Sequence, residues 1–90
     1  MVFDYIISDN LKAVIDILKK KDKKLAENLQ NKMEEVLSRD HNTIDFYKNL
    51  RKPFNEYKRV HVGSFVLKFK IVKEKNLIIF SEFEHHDNSY

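Results

Sequence analysis

The chain holds a single glycine, and that residue constrains the fold more than any other. Gly63 and Ser64 separate two stretches in which apolar residues alternate with a period of two, 57–62 (YKRVHV) and 65–72 (FVLKFKIV). A two-residue loop with glycine first is what a type II′ hairpin turn prefers. Setting that loop also sets the strand pairing. Val62 faces Phe65, His61 faces Val66, Val60 faces Leu67, Arg59 faces Lys68 and Tyr57 faces Lys70. Because side chains alternate, one face carries Val60, Val62, Phe65, Leu67, Phe69 and Ile71. The other carries Tyr57, Arg59, His61, Val66, Lys68 and Lys70.

The flanking segments supply a lid for the apolar face. Residues 2–7 (VFDYII) are β-branched and aromatic and predict a strand. Ser8 or Asp9 caps a helix with Leu11, Val14, Ile15 and Leu18 on one side, and Asp22 caps a second with Leu25, Leu29, Met33, Val36 and Leu37. So short a link makes the pair an antiparallel hairpin. Residues 43–56, with the only proline, read as a loop or short edge strand; 73–76 form a turn and 77–84 (LIIFSEFE) the last strand. The expected fold is therefore α+β: an N-terminal strand, a helix hairpin, then a three-stranded antiparallel meander, with the helices on one face of the sheet. Ninety residues make one domain, 1–90. The absence of cysteine excludes disulfides and thiolate metal sites. No apolar run approaches the ~20 residues of a membrane span, and the first residues lack a signal-peptide pattern. A soluble cytoplasmic domain without a membrane partner is expected.

Charge is segregated. Residues 1–47 carry a net −1, residues 48–73 a net +7 (eight Lys/Arg against Glu56) and residues 74–90 a net −3. A basic central third fits a polyanion-binding face; a solvated basic surface is the alternative. Arg59 opposite Lys68 destabilises a ladder unless an anion sits between them. Carrying the register into the last strand puts Ser81 and Phe83 on the open face, with His85 next in line. Cations among aromatics and an imidazole suit single-stranded nucleic acid, and RNA if the imidazole acts chemically. Cleaving RNA through its own 2′-hydroxyl takes a base, an acid and cations for the pentacovalent phosphate, and requires no metal. Alone, His61 reads first as a surface histidine; with Arg59 and Lys68 on the same face the functional reading takes precedence. The ending Glu84-His85-His86-Asp87-Asn88-Ser89-Tyr90 lacks metal-ligand spacing and is either functional or a frayed tail.

Three stretches carry a family resemblance: Tyr57-Lys58-Arg59-Val60-His61-Val62, Phe65-Val66-Leu67-Lys68-Phe69, and His86-x-x-x-Tyr90. In that order, behind a strand and a helix hairpin, they resemble the RelE/ParE superfamily of toxin–antitoxin toxins, and most of all its YafQ-like branch. His61 and His86 match the two histidines implicated in catalysis there, Tyr90 the closing aromatic, and Leu50-Arg51-Lys52 a basic element leading into the second strand. The resemblance implies an mRNA endoribonuclease that enters the ribosomal A site and leaves a 2′,3′-cyclic phosphate and a 5′-hydroxyl. It also implies a small cognate antitoxin as partner, and no cofactor.

On that footing His61, His86, Arg59, Lys68 and Tyr90 are the expected catalytic residues, the histidines dividing the proton transfers. Lys48, Arg51 and Lys52 are expected on ribosomal RNA, and Lys58, Lys70 and His85 as further RNA contacts. Two departures stand out. The strand arginine that RelE uses is replaced here by Val66, with Lys68 ~7 Å along the strand, and another YafQ-like histidine aligns with Lys48. The alternatives are a ParE-like gyrase poison and a catalytically degenerate homologue that pairs only with its antitoxin.

Overall fold

A computed structural model describes residues 3–53 and 55–88. Strand β1 (Asp4–Ile7) leads into helix α1 (Asp9–Lys21), whose cap is Ser8: its hydroxyl accepts a hydrogen bond from the Leu11 amide. Asp22 separates α1 from α2 (Lys23–Leu37) and caps α2 by accepting from the Leu25 amide. Then come a 3₁₀ turn (Ile44–Phe46), a two-residue strand β2 (Lys48–Asn49), and the predicted hairpin β3 (Tyr57–Val62) and β4 (Phe65–Val72). Strand β5 (Leu77–His85) follows a tight turn in which Asn76 takes a left-handed conformation, φ 50°. A last 3₁₀ turn spans His86–Asn88.

The sheet order is β1-β5-β4-β3-β2, with β1 parallel to β5 and every other pairing antiparallel. The meander and helix hairpin are as expected; β1 adds a parallel edge and β2 closes the opposite edge against Arg59 and Lys58. The hairpin register agrees residue for residue, from Val62 opposite Phe65 to Tyr57 opposite Lys70. Gly63 has φ +60° while Ser64 does not, which suits a type II′ turn. Leu11, Leu29, Val36, Leu67, Phe69, Ile78 and Phe80 are fully buried between helices and sheet. Tyr47 fastens β2 to this core: its ring meets Phe69 and its hydroxyl donates to Glu35 at 2.8 Å. No described helix is long and apolar enough to cross a membrane.

One parity changes. Lys68 pairs with Glu82 but Phe69 pairs with Phe80, so Ser81 is an extra residue in β5, a β-bulge. Phe83, expected on the open face, instead stacks on Phe65 at 5.1 Å and is buried in the core. Glu82 and Glu84 take the open face, opposite Lys68 and Val66.

Candidate active site

The sheet face turned away from the helices forms an open cleft of about 880 Å³. The segment after β2 contributes Leu50, Arg51 and Lys52; β3 contributes Tyr57, Arg59 and His61; β4 contributes Lys68. Ser81 and Glu82 enter from β5, and His86 from the turn beyond it. The position of His86 follows from the sheet: its backbone amide donates to the Ser64 carbonyl at 2.9 Å, one step past the Phe65–His85 pair. The β4–β5 ladder thus runs on to the β3–β4 turn, and alternation sets His86 on the open face after Glu82 and Glu84. The His61 and His86 rings then lie 5.6 Å apart, 30° from parallel. Residues 25 positions apart in sequence thus become neighbours because one turn anchors both.

Lys68 reaches this cleft already paired. Its ammonium lies 2.7 Å from Glu84 and 3.4 Å from Glu82. Burial works against its charge, but the hydrogen bond and charge of Glu84, aided by Glu82, outweigh it and hold the lysine pKa above its ordinary value. The hydrogen bond from Lys68 in turn lowers the Glu84 pKa against a smaller opposing effect of burial. The anion expected between Arg59 and Lys68 is therefore supplied on the other flank of Lys68 by the protein's own carboxylates. Val66, which the sequence resemblance aligns with the RelE arginine, is fully buried between His61 and Glu84 in the ladder.

The remaining expected contacts divide. Lys48 is exposed and in register with Arg59, on the cleft side. Lys70 is on the open face beside Tyr57 but ion-paired to Glu56 at 3.5 Å. Lys58 does not face the cleft. Side-chain alternation turns it toward the helix side, where it is buried and donates to the Tyr47 carbonyl at 3.0 Å and Asn49 Oδ1 at 2.9 Å, with Asp45 at 3.6 Å. It holds β2 to β3 rather than RNA. His85 also turns away, its ring edge against Phe65 and its Nδ1 3.6 Å from Asp87. Tyr90 lies outside the described residues. Glu82 and Glu84 are the residues that sequence reasoning missed; their signal was the spacing Ile78, Phe80, Phe83, a step of three that keeps all three on one face only if a bulge intervenes.

A five-stranded sheet backed by a helix hairpin is a fold that this chain shares with solved RelE-like structures. The crystal structure of YafQ from E. coli strain BL21(DE3) superposes with a TM-score of 0.75 at 15% identity, covering 98% of each chain. The YoeB–YefM complex from Staphylococcus aureus gives 0.73 at 10% identity, covering 93% of this chain and 97% of that one. No protein-family model matches. A curated protein of Methanocaldococcus jannaschii, named "Putative toxin RelE4", is 40% identical over 90 residues, 99% of this chain and 92% of that protein. The chain belongs to the RelE/ParE superfamily of toxin–antitoxin toxins.

Proposed function

We propose that this toxin is a metal-independent endoribonuclease that cuts mRNA on the ribosome. The observation that carries the reading is the His61–His86 pair, 5.6 Å apart in a cleft that Arg51, Lys52 and Arg59 line. One imidazole removes the 2′-hydroxyl proton, and O2′ attacks phosphorus. The P–O5′ bond then breaks as the other imidazole protonates the leaving oxygen. The products are a 2′,3′-cyclic phosphate and a 5′-hydroxyl. Arg59 stabilises the charge that grows on the phosphorane. Lys68, largely neutralised by Glu84 and Glu82, contributes its position more than its charge. Tyr90 stacks on or orients a base, and Lys48, Arg51 and Lys52 hold ribosomal RNA. A small antitoxin silences the toxin in the cytoplasm; the YoeB neighbour was solved in complex with YefM.

The test is expression from a tight inducible promoter, with His86→Ala in parallel and mRNA 5′ ends mapped by primer extension. In-frame cuts in translated messages should appear with the parent chain and fall about 100-fold or more in the variant, while RNA affinity changes little. Equal losses of cutting and binding would remove His86 from the chemistry. Growth arrest with intact mRNA would favour the gyrase reading. Neither arrest nor cuts would favour the degenerate homologue, which the buried Val66 in place of an arginine keeps in play.

A further inference from the structure

Beyond the cleft, His61 also lines a second groove of about 340 Å³, between α2 and the last residues of β3. We infer that this groove is a nucleobase subsite, which takes the base next to the scissile phosphate of an RNA strand bound in the cleft. The inference rests on reading the cleft as an RNA site.

Three observations set its chemistry. Asn28, Asn31, Lys32 and Glu35 follow the i, i+3, i+4, i+7 spacing, so they form one polar ridge along α2, about 10 Å long, beside the buried apolar stripe. Lys32 and Glu35 are paired at 3.1 Å, which leaves the groove close to neutral next to a cationic cleft. A phosphate is therefore better held in the cleft, and the groove suits an uncharged group with donors and acceptors. Among the described residues no hydrogen bond ties the Asn28 or Asn31 amide, and each offers both kinds of group.

The third observation is the strand edge. The two-residue turn makes Val62 and Phe65 a hydrogen-bonded pair, so Val60 and Lys58 also direct their peptide groups toward β4. Tyr57, Arg59 and His61 direct theirs the other way. Leu50 N–H meets the Tyr57 carbonyl at 2.9 Å and Lys48 pairs with Arg59, but β2 goes no further. The His61 N–H and C=O thus face the groove from an edge that β2 leaves open. A peptide donor and acceptor beside two carboxamides is a set that reads the edge of an unstacked base. Because His61 belongs to both hollows, a strand whose phosphate sits at the histidine pair has its adjoining base within reach of the ridge.

The experiment uses the intact ¹⁵N-labelled chain and four 2′-O-methyl tetranucleotides, one for each base, which cannot be cut because the attacking hydroxyl is blocked. The side-chain amide signals of Asn28 and Asn31 and the backbone amide of His61 should shift together with cleft signals, by amounts that depend on the base. Asn28→Ala and Asn31→Ala should each weaken the preferred oligonucleotide about fivefold by fluorescence anisotropy and leave the weakest binder unchanged. Shifts confined to the cleft would overturn the groove while leaving the cleft reading intact. No shift in either would overturn both, and groove shifts with inorganic phosphate alone would overturn the base assignment. A chain that binds through groove and cleft but never cleaves RNA would uphold the subsite and remove only the catalysis.

Discussion

Arg59 opposite Lys68 would strain the hairpin through like-charge repulsion, and the strain is relieved by Glu84 and Glu82 on the neighbouring strand. The Lys68–Glu84 pair sits in the ladder between β4 and β5, so its protonation state bears on stability as well as on the cleft. Glu84 has a folded pKa below 4.5, so its contribution is complete above about 4.5 and is lost as pH falls through the folded value. Lys68 has a folded pKa above 10.5, so its contribution is complete below about 10.5 and is lost as pH rises through the folded value. A double-mutant cycle of Lys68→Met and Glu84→Gln, read by urea unfolding, should give a coupling of about 1 kcal/mol at pH 7. Near pH 2 the coupling should vanish; a cycle with the same coupling at both pH values would mean the two side chains do not act as an ion pair. At this scale the sequence was informative about backbone position and silent about partners. Hairpin pairing placed Arg59, His61 and Lys68 on one face, but which carboxylate neutralises Lys68 depends on a strand register set elsewhere.

The elements divide in the same way between what local chemistry determines and what only assembly shows. Helix caps and the β3–β4 turn were legible because a cap or a two-residue loop depends on a few adjacent residues. Gly63 shows how much rests on one of them: a Cβ at this position would have no atom within 4 Å, yet the φ of +60° is costly for any L side chain. Gly63→Ala should therefore lower the urea midpoint by the equivalent of ~1–2 kcal/mol with an unchanged denaturant slope. An unaltered midpoint would show that the turn relaxes to another type. The parallel seat of β1 and the bulge at Ser81 were less legible, since both depend on contacts between distant segments. Ser8 joins them: its hydroxyl caps α1 at 3.1 Å and also donates to the Ser81 carbonyl at 2.6 Å. Ser8→Ala thus removes a cap and leaves a partly buried carbonyl unpaired, for an expected cost of ~2 kcal/mol. Asp22→Ala removes only an exposed cap, at ~1 kcal/mol. Equal thermal shifts for the two variants would show that the Ser8–Ser81 bond adds nothing.

For the whole molecule, the charge pattern acquires a direction that the linear sequence does not have. Of the eight cations between residues 48 and 73, Lys58 and Lys73 meet Asp45, Lys70 meets Glu56, and Lys68 meets Glu82 and Glu84. The other four are Lys48, Arg51, Lys52 and Arg59; three line the cleft, and Lys48 lies in register with Arg59. Half of the eight cations, Arg51, Lys52, Arg59 and Lys68, thus line the cleft in which the two histidines meet. Each cation that contacts a phosphate of single-stranded RNA steepens the dependence of log affinity on log salt by about 0.7. Arg51→Ala and Lys52→Ala should each make that slope shallower by about this amount and weaken binding most at low salt. Lys73→Met, which removes a cation held by Asp45 away from the cleft, should leave the slope where it was. Anisotropy titrations of a 2′-O-methyl RNA from 50 to 300 mM salt distinguish the cases at roughly these ionic strengths. If Lys73→Met flattened the slope as much as Arg51→Ala, binding would follow total charge rather than the cleft, and the site would have to be sought over the whole basic surface.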